Sequence, residues 1–173
     1  EFIKRNGGID TQYREAELGN FNEEERTATF SFSSEYEVGR WYGVEILDHS
    51  EGSVRMERIN AGGAFLMDHN HGDQRGVVLE ASIEGKRGLC TVKFSRSKRG
   101  EELWQDVKDG IRTQVSVGYI IHEIVLVRKE GDTEFYRVTD WEPTEISSVS
   151  VAADPSVGVG RSQENPTYRP VNI

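Results

Sequence analysis

Arg26-Thr27-Ala28-Thr29-Phe30-Ser31-Phe32-Ser33 alternates polar and apolar residues. A period of two over this length marks a half-buried β-strand, with Ala28, Phe30 and Phe32 turned inward. Comparable stretches follow it along the chain. Trp41 to Leu47 is aromatic and apolar and suits a strand or a turn, and Ser53 to Asn60 alternates through Val54, Met56 and Ile59 with one break in phase. Gly62-Gly63 marks a turn before Ala64-Phe65-Leu66-Met67. Val77 to Ile83 and Leu89 to Phe94 read as a hairpin about Glu84-Gly85-Lys86-Arg87-Gly88. Gln114 to Arg128 and Thr133 to Trp141 read as a second hairpin, closed by Lys129-Glu130-Gly131-Asp132, and Glu145 to Val151 as the last strand. One segment, Glu101 to Asp109, has helical spacing. Leu103, Trp104 and Val107 form a stripe that Ile111 continues, acidic residues occupy the first turn, and Gly110 follows the end. Many strands without regular helical crossovers predict a mainly β fold with few helices, a largely antiparallel barrel or sandwich.

The chain has 173 residues, 30 acidic and 21 basic, for a formal charge of -9. That length suits one domain with extensions. Residues 1–25 read as an arm or opening strand, 26–155 as the β-domain, and 156–173 as a polar tail. Cys90 is the single cysteine, so no intrachain disulfide can form, and it shares a strand face with Val92 and Phe94 as a small core residue. No run reaches the roughly 18 apolar residues of a membrane span. A net-acidic domain lacks the positive field of a non-specific DNA binder. The composition predicts a soluble, intracellular globular domain with neither nucleic acid nor membrane as partner.

Three places could carry chemistry. In Asp68-His69-Asn70-His71-Gly72-Asp73, alternate histidines with flanking carboxylates suit a metal site through His69, His71 and Asp73, although no other Cys or His pair has structural-zinc spacing. A calcium loop fails, because the glycine comes one place early and the twelfth position is Leu79. A catalytic base and a plain polar loop complete the readings. In Val115-Ser116-Val117-Gly118-Tyr119, Ser116 is either a buried hydroxyl bonded to backbone or a nucleophile, which needs a histidine to take its proton. On an extended strand His122 stands roughly 20 Å away, too far for that task. Glu145 opens an apolar strand, where a buried carboxylate needs a partner and can orient a histidine.

Taken together, three segments resemble the caudovirus prohead protease family, capsid-maturation serine proteases similar in fold to the herpesvirus assemblins. They are Phe65-Leu66-Met67-Asp68-His69 with Gly76-Val77-Val78, the helix ending at Gly110 followed by Val115-Ser116-Val117-Gly118-Tyr119, and Glu145-Ile146-Ser147-Ser148-Val149 running to Asp154-Pro155. The resemblance covers about Thr27 to Arg161. It departs at Ala152, where the family usually has Pro, and at Val157, where it often has Ala. It implies a closed antiparallel Greek-key β-barrel of herpesvirus-protease type. It implies a serine endopeptidase with Ser116 as nucleophile, His69 as base and Glu145 as third member, Asp140 and His71 being alternatives for that third role. No cofactor is implied. The implied substrates are capsid and scaffold polypeptides and the chain itself, inside the prohead in the host cytoplasm, and a homodimer follows by analogy. Two other readings stand beside it: an inactive phage scaffold or structural protein of the same fold, and a metal-binding β-barrel module using His69 and His71.

Overall fold

The structure is a computed structural model that describes residues 21–159. Most of the expected arm at 1–25 and most of the tail at 156–173 lie outside the described residues. The strands are β1 (Phe21–Asn22), β2 (Thr27–Ser34), β3 (Val38–Arg40), β4 (Gly43–Leu47), β5 (Ala64–Met67), β6 (Asn70–Glu84), β7 (Arg87–Phe94), β8 (Gln114–Glu130) and β9 (Thr133–Val149). Helix α1 spans Glu57–Asn60 and α2 spans Lys98–Lys108. The fold is mainly β, as its alternating sequence predicts.

The sheet is mixed and open, which corrects the closed antiparallel Greek-key barrel. Its order is β1-β2-β7-β6-β5-β9-β4-β3, with β8 paired to β9 off that path. Strand β9 is the hinge of the arrangement. One edge pairs antiparallel with β8 along its whole length. The other edge takes two parallel partners in succession, β4 against Phe135–Val138 and β5 against Glu145–Ser148. Alternation tells which face of a strand is buried but not which strand lies beside it or in which direction, so the parallel pairs left no mark in the sequence.

Pro143 lies inside β9, between those two parallel segments and opposite Tyr119, where the β8–β9 register shifts. A proline has no N–H to give a ladder and is tolerated where pairing is interrupted. The two strand segments read on either side of Pro143 are therefore one continuous strand. Ser53 to Asn60 also differs from its reading. Val54 makes a single parallel bridge to Trp141, and α1 then turns Ile59 into the core.

The core is aromatic. Phe30, Phe65, Phe94 and Trp104 form a chain of ring contacts with centroids 5.8, 5.5 and 5.0 Å apart. Trp104, Leu103 and Val107 bring α2 onto the sheet. That helix begins three residues before its expected start, because Ser97 accepts the Gly100 N–H at 3.1 Å and so caps it. Ile111, placed on the buried stripe by its spacing, is exposed beyond the helix end. Cys90 is buried, and burial pushes its thiol pKa up. Val157 and Val159 also enter the core, where the Gly158 N–H donates to the Ser31 carbonyl and the Val159 N–H to the Thr113 carbonyl, each at 2.9 Å.

Candidate functional site

Met67 and Asn70 are paired across the β5–β6 hairpin, so Asp68 and His69 form its two-residue turn. Both have positive φ, 49° and 57°. Positive φ at both central residues defines a type I′ turn, whose twist matches that of the flanking strands. Asp and His are among the few non-glycine types enriched in that region. Even so, each such residue costs on the order of 1–2 kcal/mol, and the surrounding contacts must hold it.

Those contacts come from β9. The His69 Nδ1–H donates to Glu145 Oε1 at 2.5 Å, since an ionised carboxylate only accepts. The Ser147 hydroxyl donates to Glu145 Oε2 at 2.8 Å and accepts the His69 backbone N–H at 3.0 Å. The Asp68 N–H donates to the Ser148 carbonyl at 3.0 Å. Arg112 closes the other side, donating to Ser148 Oγ at 2.9 Å and pairing with Asp68 at 3.2 Å. Glu145 and Ser147 are buried, whereas His69 is exposed. Both carboxylate oxygens of Glu145 are thus satisfied, as burial requires.

Strand β8 completes the face. Gly118 lies opposite Glu145 and Ser116 opposite Ser147. A β-carbon at Gly118 would meet the Glu145 side chain, with Cδ at 3.0 Å and Cγ at 3.1 Å. Glycine here makes room for a carboxylate. Ser116 is half-buried, and its hydroxyl makes no hydrogen bond to His69 among the described residues. The structure therefore joins His69 to Glu145 directly, sets Ser116 beside Ser147 on the same strand face, and leaves the serine outside the hydrogen-bonded network.

The alternatives fall elsewhere. Asp140 is held by Arg55 through two hydrogen bonds of 2.8 and 2.6 Å. Asp73 is paired with Arg75 and Arg99, which hold its carboxyl down at about 2. His71 is exposed, and no group of three or more potential ligands gathers among the described residues. His122 pairs with Glu142 at 3.1 Å. His49 is a buried core histidine: its Nδ1–H donates to the Leu47 carbonyl at 3.0 Å, leaving Nε2 to accept from the Ser33 hydroxyl at 2.8 Å. Burial lowers its pKa against the opposing pull of the Leu47 carbonyl, Glu35, Asp48 and Asp154.

Two features escaped sequence reading. Ser147 bridges His69 and Glu145, and its only signal is that Glu145 and Ser147 share a face at period two. Glu45 is buried and accepts hydrogen bonds from Arg40 and Tyr42 of its own hairpin and from Tyr119 of β8, far away in sequence. Arg40, Glu45 and Tyr119 border a cavity of about 40 Å³ that Phe32, Leu47, Val115 and Ser116 also line. At roughly 10–15 Å³ for the centre of each water, it suits waters rather than an organic ligand.

The chain is 50% identical over 141 residues to the major capsid protein of Halomonas phage phiHAP-1, covering 79% of this chain and 23% of that protein. It is 28% identical over 97 residues to the capsid polyprotein of Pseudomonas phage PAJU2, covering 52% of this chain and 14% of that one. Both relatives are phage capsid proteins. The chain spans less than a quarter of the length of either. No family model matches the chain, and no solved structure matches it.

The serine endopeptidase reading is corrected accordingly. The relatives bear the names of capsid components, not of a prohead protease, and the role of protease acting on capsid substrates goes with that name. Among the described residues no helix is long and apolar enough to cross a membrane.

Proposed function

We propose that this chain is a structural β-domain of a phage head that assembles with other capsid components. The observation that carries this reading is the 50% identity to a major capsid protein over 79% of the chain. The turn at Asp68–His69 fits it. Glu145, Ser147, Ser148 and Arg112 all hold the turn against β9, and His69 serves as the peg that enters the carboxylate. In this reading the three residues first assigned to catalysis have structural tasks. Glu145 and His69 fix the hairpin's exit angle, and Ser116 packs beside Ser147.

The experiment has two arms. Co-expression of the chain with the remaining head proteins of its phage, followed by sedimentation and peptide mass spectrometry, is expected to find peptides of residues 21–159 retained in particles. A fluorophosphonate probe applied to the purified chain is expected to leave Ser116 unlabelled. Absence of these peptides from assembled particles overturns the structural reading. So does a Ser116 adduct that disappears in a His69→Ala variant.

A further inference from the structure

Strand β8 has 17 residues and, along its outer half, pairs with β9 alone among the described residues. From Ile120 to Glu130 every residue is exposed. Six of them are large and apolar: Ile120 at 43%, Ile121 at 38%, Ile124 at 39%, Val125 at 41%, Leu126 at 49% and Val127 at 46%. A strand with one wet face alternates apolar and polar residues. This one carries apolar side chains on both faces, and among the described residues no strand pairs with the backbone N–H and C=O groups of its outer edge. Soluble proteins keep such edges short or charged in the middle because a long apolar edge templates further pairing. Here the run Ile124–Val127 carries no charge, and charged residues stand on either side of it.

Their order identifies the occupant. The run Ile124–Val127 is preceded by Glu123 and followed by Arg128 and Lys129. If two copies of this strand lie antiparallel about the apolar run, the run faces itself and each Glu123 faces the Arg128–Lys129 pair of the other copy. If they lie parallel, Glu123 faces Glu123 and cation faces cation. Glu123 has no ion-pair partner among the described residues. Arg128 and Lys129 now contact carboxylates of their own chain, the exposed Glu37 and Glu130 and the half-buried Glu134, and Arg128 lies over the Phe135 ring, 3.6 Å from its centroid. The ion pairs among exposed groups contribute little and exchange readily.

We propose that the free edge of β8 pairs antiparallel with β8 of a second copy of this chain, about a two-fold axis through the Ile124–Val127 run. A two-fold interface uses the same patch on both partners, which the charge order of this strand permits. The inference stands on the strand edge alone and would hold for a chain of any function.

Sedimentation equilibrium of the full chain over a wide concentration range tests it. A monomer–dimer equilibrium is expected. Glu123→Lys places like charges opposite each other at two symmetric positions and is expected to weaken dimerisation roughly tenfold or more. Combining it with Arg128→Glu and Lys129→Glu restores opposite charges and is expected to restore the dimer. Val125→Lys, an exposed position, is expected to give a monomer with an unchanged thermal melt. A chain that stays monomeric at millimolar concentration overturns the proposal. So does a dimer that is indifferent to Glu123→Lys and Val125→Lys, or a charge-reversed triple variant that fails to re-dimerise while keeping its melt.

Discussion

Gly118→Ala tests the packing of the carboxylate clasp. The added methyl would run into the Glu145 side chain, which is buried and cannot swing to solvent without cost. One way to relieve the clash is to rotate the carboxylate away. That sacrifices its bonds to His69 and Ser147, each worth about 1.5–3 kcal/mol as a hydrogen bond to a charged group. The other is to let β8 shift against β9, an overpacking cost of about 1–3 kcal/mol. The second is cheaper and sets the penalty. Alanine recovers about 0.5–1 kcal/mol because glycine is the more flexible residue in the unfolded chain, and Gly118 has no positive φ to forbid the exchange. The net expectation is a loss of about 1 kcal/mol, or roughly 3–5 °C in melting temperature for a domain of this size. The assay is urea denaturation followed by tryptophan fluorescence, in the native background and in a Glu145→Ala background. With the carboxylate gone, the methyl has room, and the same substitution should become stabilising by about 0.5–1 kcal/mol. A Gly118→Ala effect of the same sign and size in both backgrounds would refute the steric argument.

Two further outcomes follow from the buried polar groups. His49 has a folded-state pKa below its unfolded value near 6.5, so the unfolded chain binds the extra proton first. The stability held above pH 6.5 should therefore fall as pH drops from there toward the lowered folded value, by at most about 1.4 kcal/mol per pH unit. A His49→Gln variant compared by urea midpoints between pH 7.5 and 5.5 should lose that slope, and an unchanged slope would exclude His49 as its source. Asn60 donates to the Ala81 carbonyl at 3.0 Å and accepts the Ala81 N–H at 2.7 Å, tying α1 to β6. Asn60→Ala should cost about 2 kcal/mol by leaving both backbone groups unpaired, and a midpoint unchanged from the native chain would show that water replaces the amide freely.

The capsid relationship and the local geometry bear on different scales. The relatives are capsid proteins many times longer than the matched stretch, and the hairpin turn supplies the buried Glu145 with its partners. An unpaired carboxylate in that position would be costly. His69 and Ser147 satisfy both of its oxygens. The same contacts offset the cost of two left-handed residues in the turn. These contacts hold a tight turn against a neighbouring strand.

What could be read without a structure was local. Alternation in Arg26–Ser33 placed Ala28, Phe30 and Phe32 inside, and each is buried. The spacing of Leu103, Trp104 and Val107 found a helix, and Glu145, if buried, called for a partner, of which a histidine was one. These inferences succeed because side-chain period and burial are properties of a few neighbouring residues. What the tertiary structure alone decided was adjacency. The parallel pairing of β9 with β4 and then β5, the open sheet, the meeting of His69 with Glu145 and the exclusion of the Ser116 hydroxyl from that contact all depend on strands distant in sequence. A one-residue change of register would turn each of those side chains to the opposite face. Register is set by the packing of the whole sheet, and no single strand carries it.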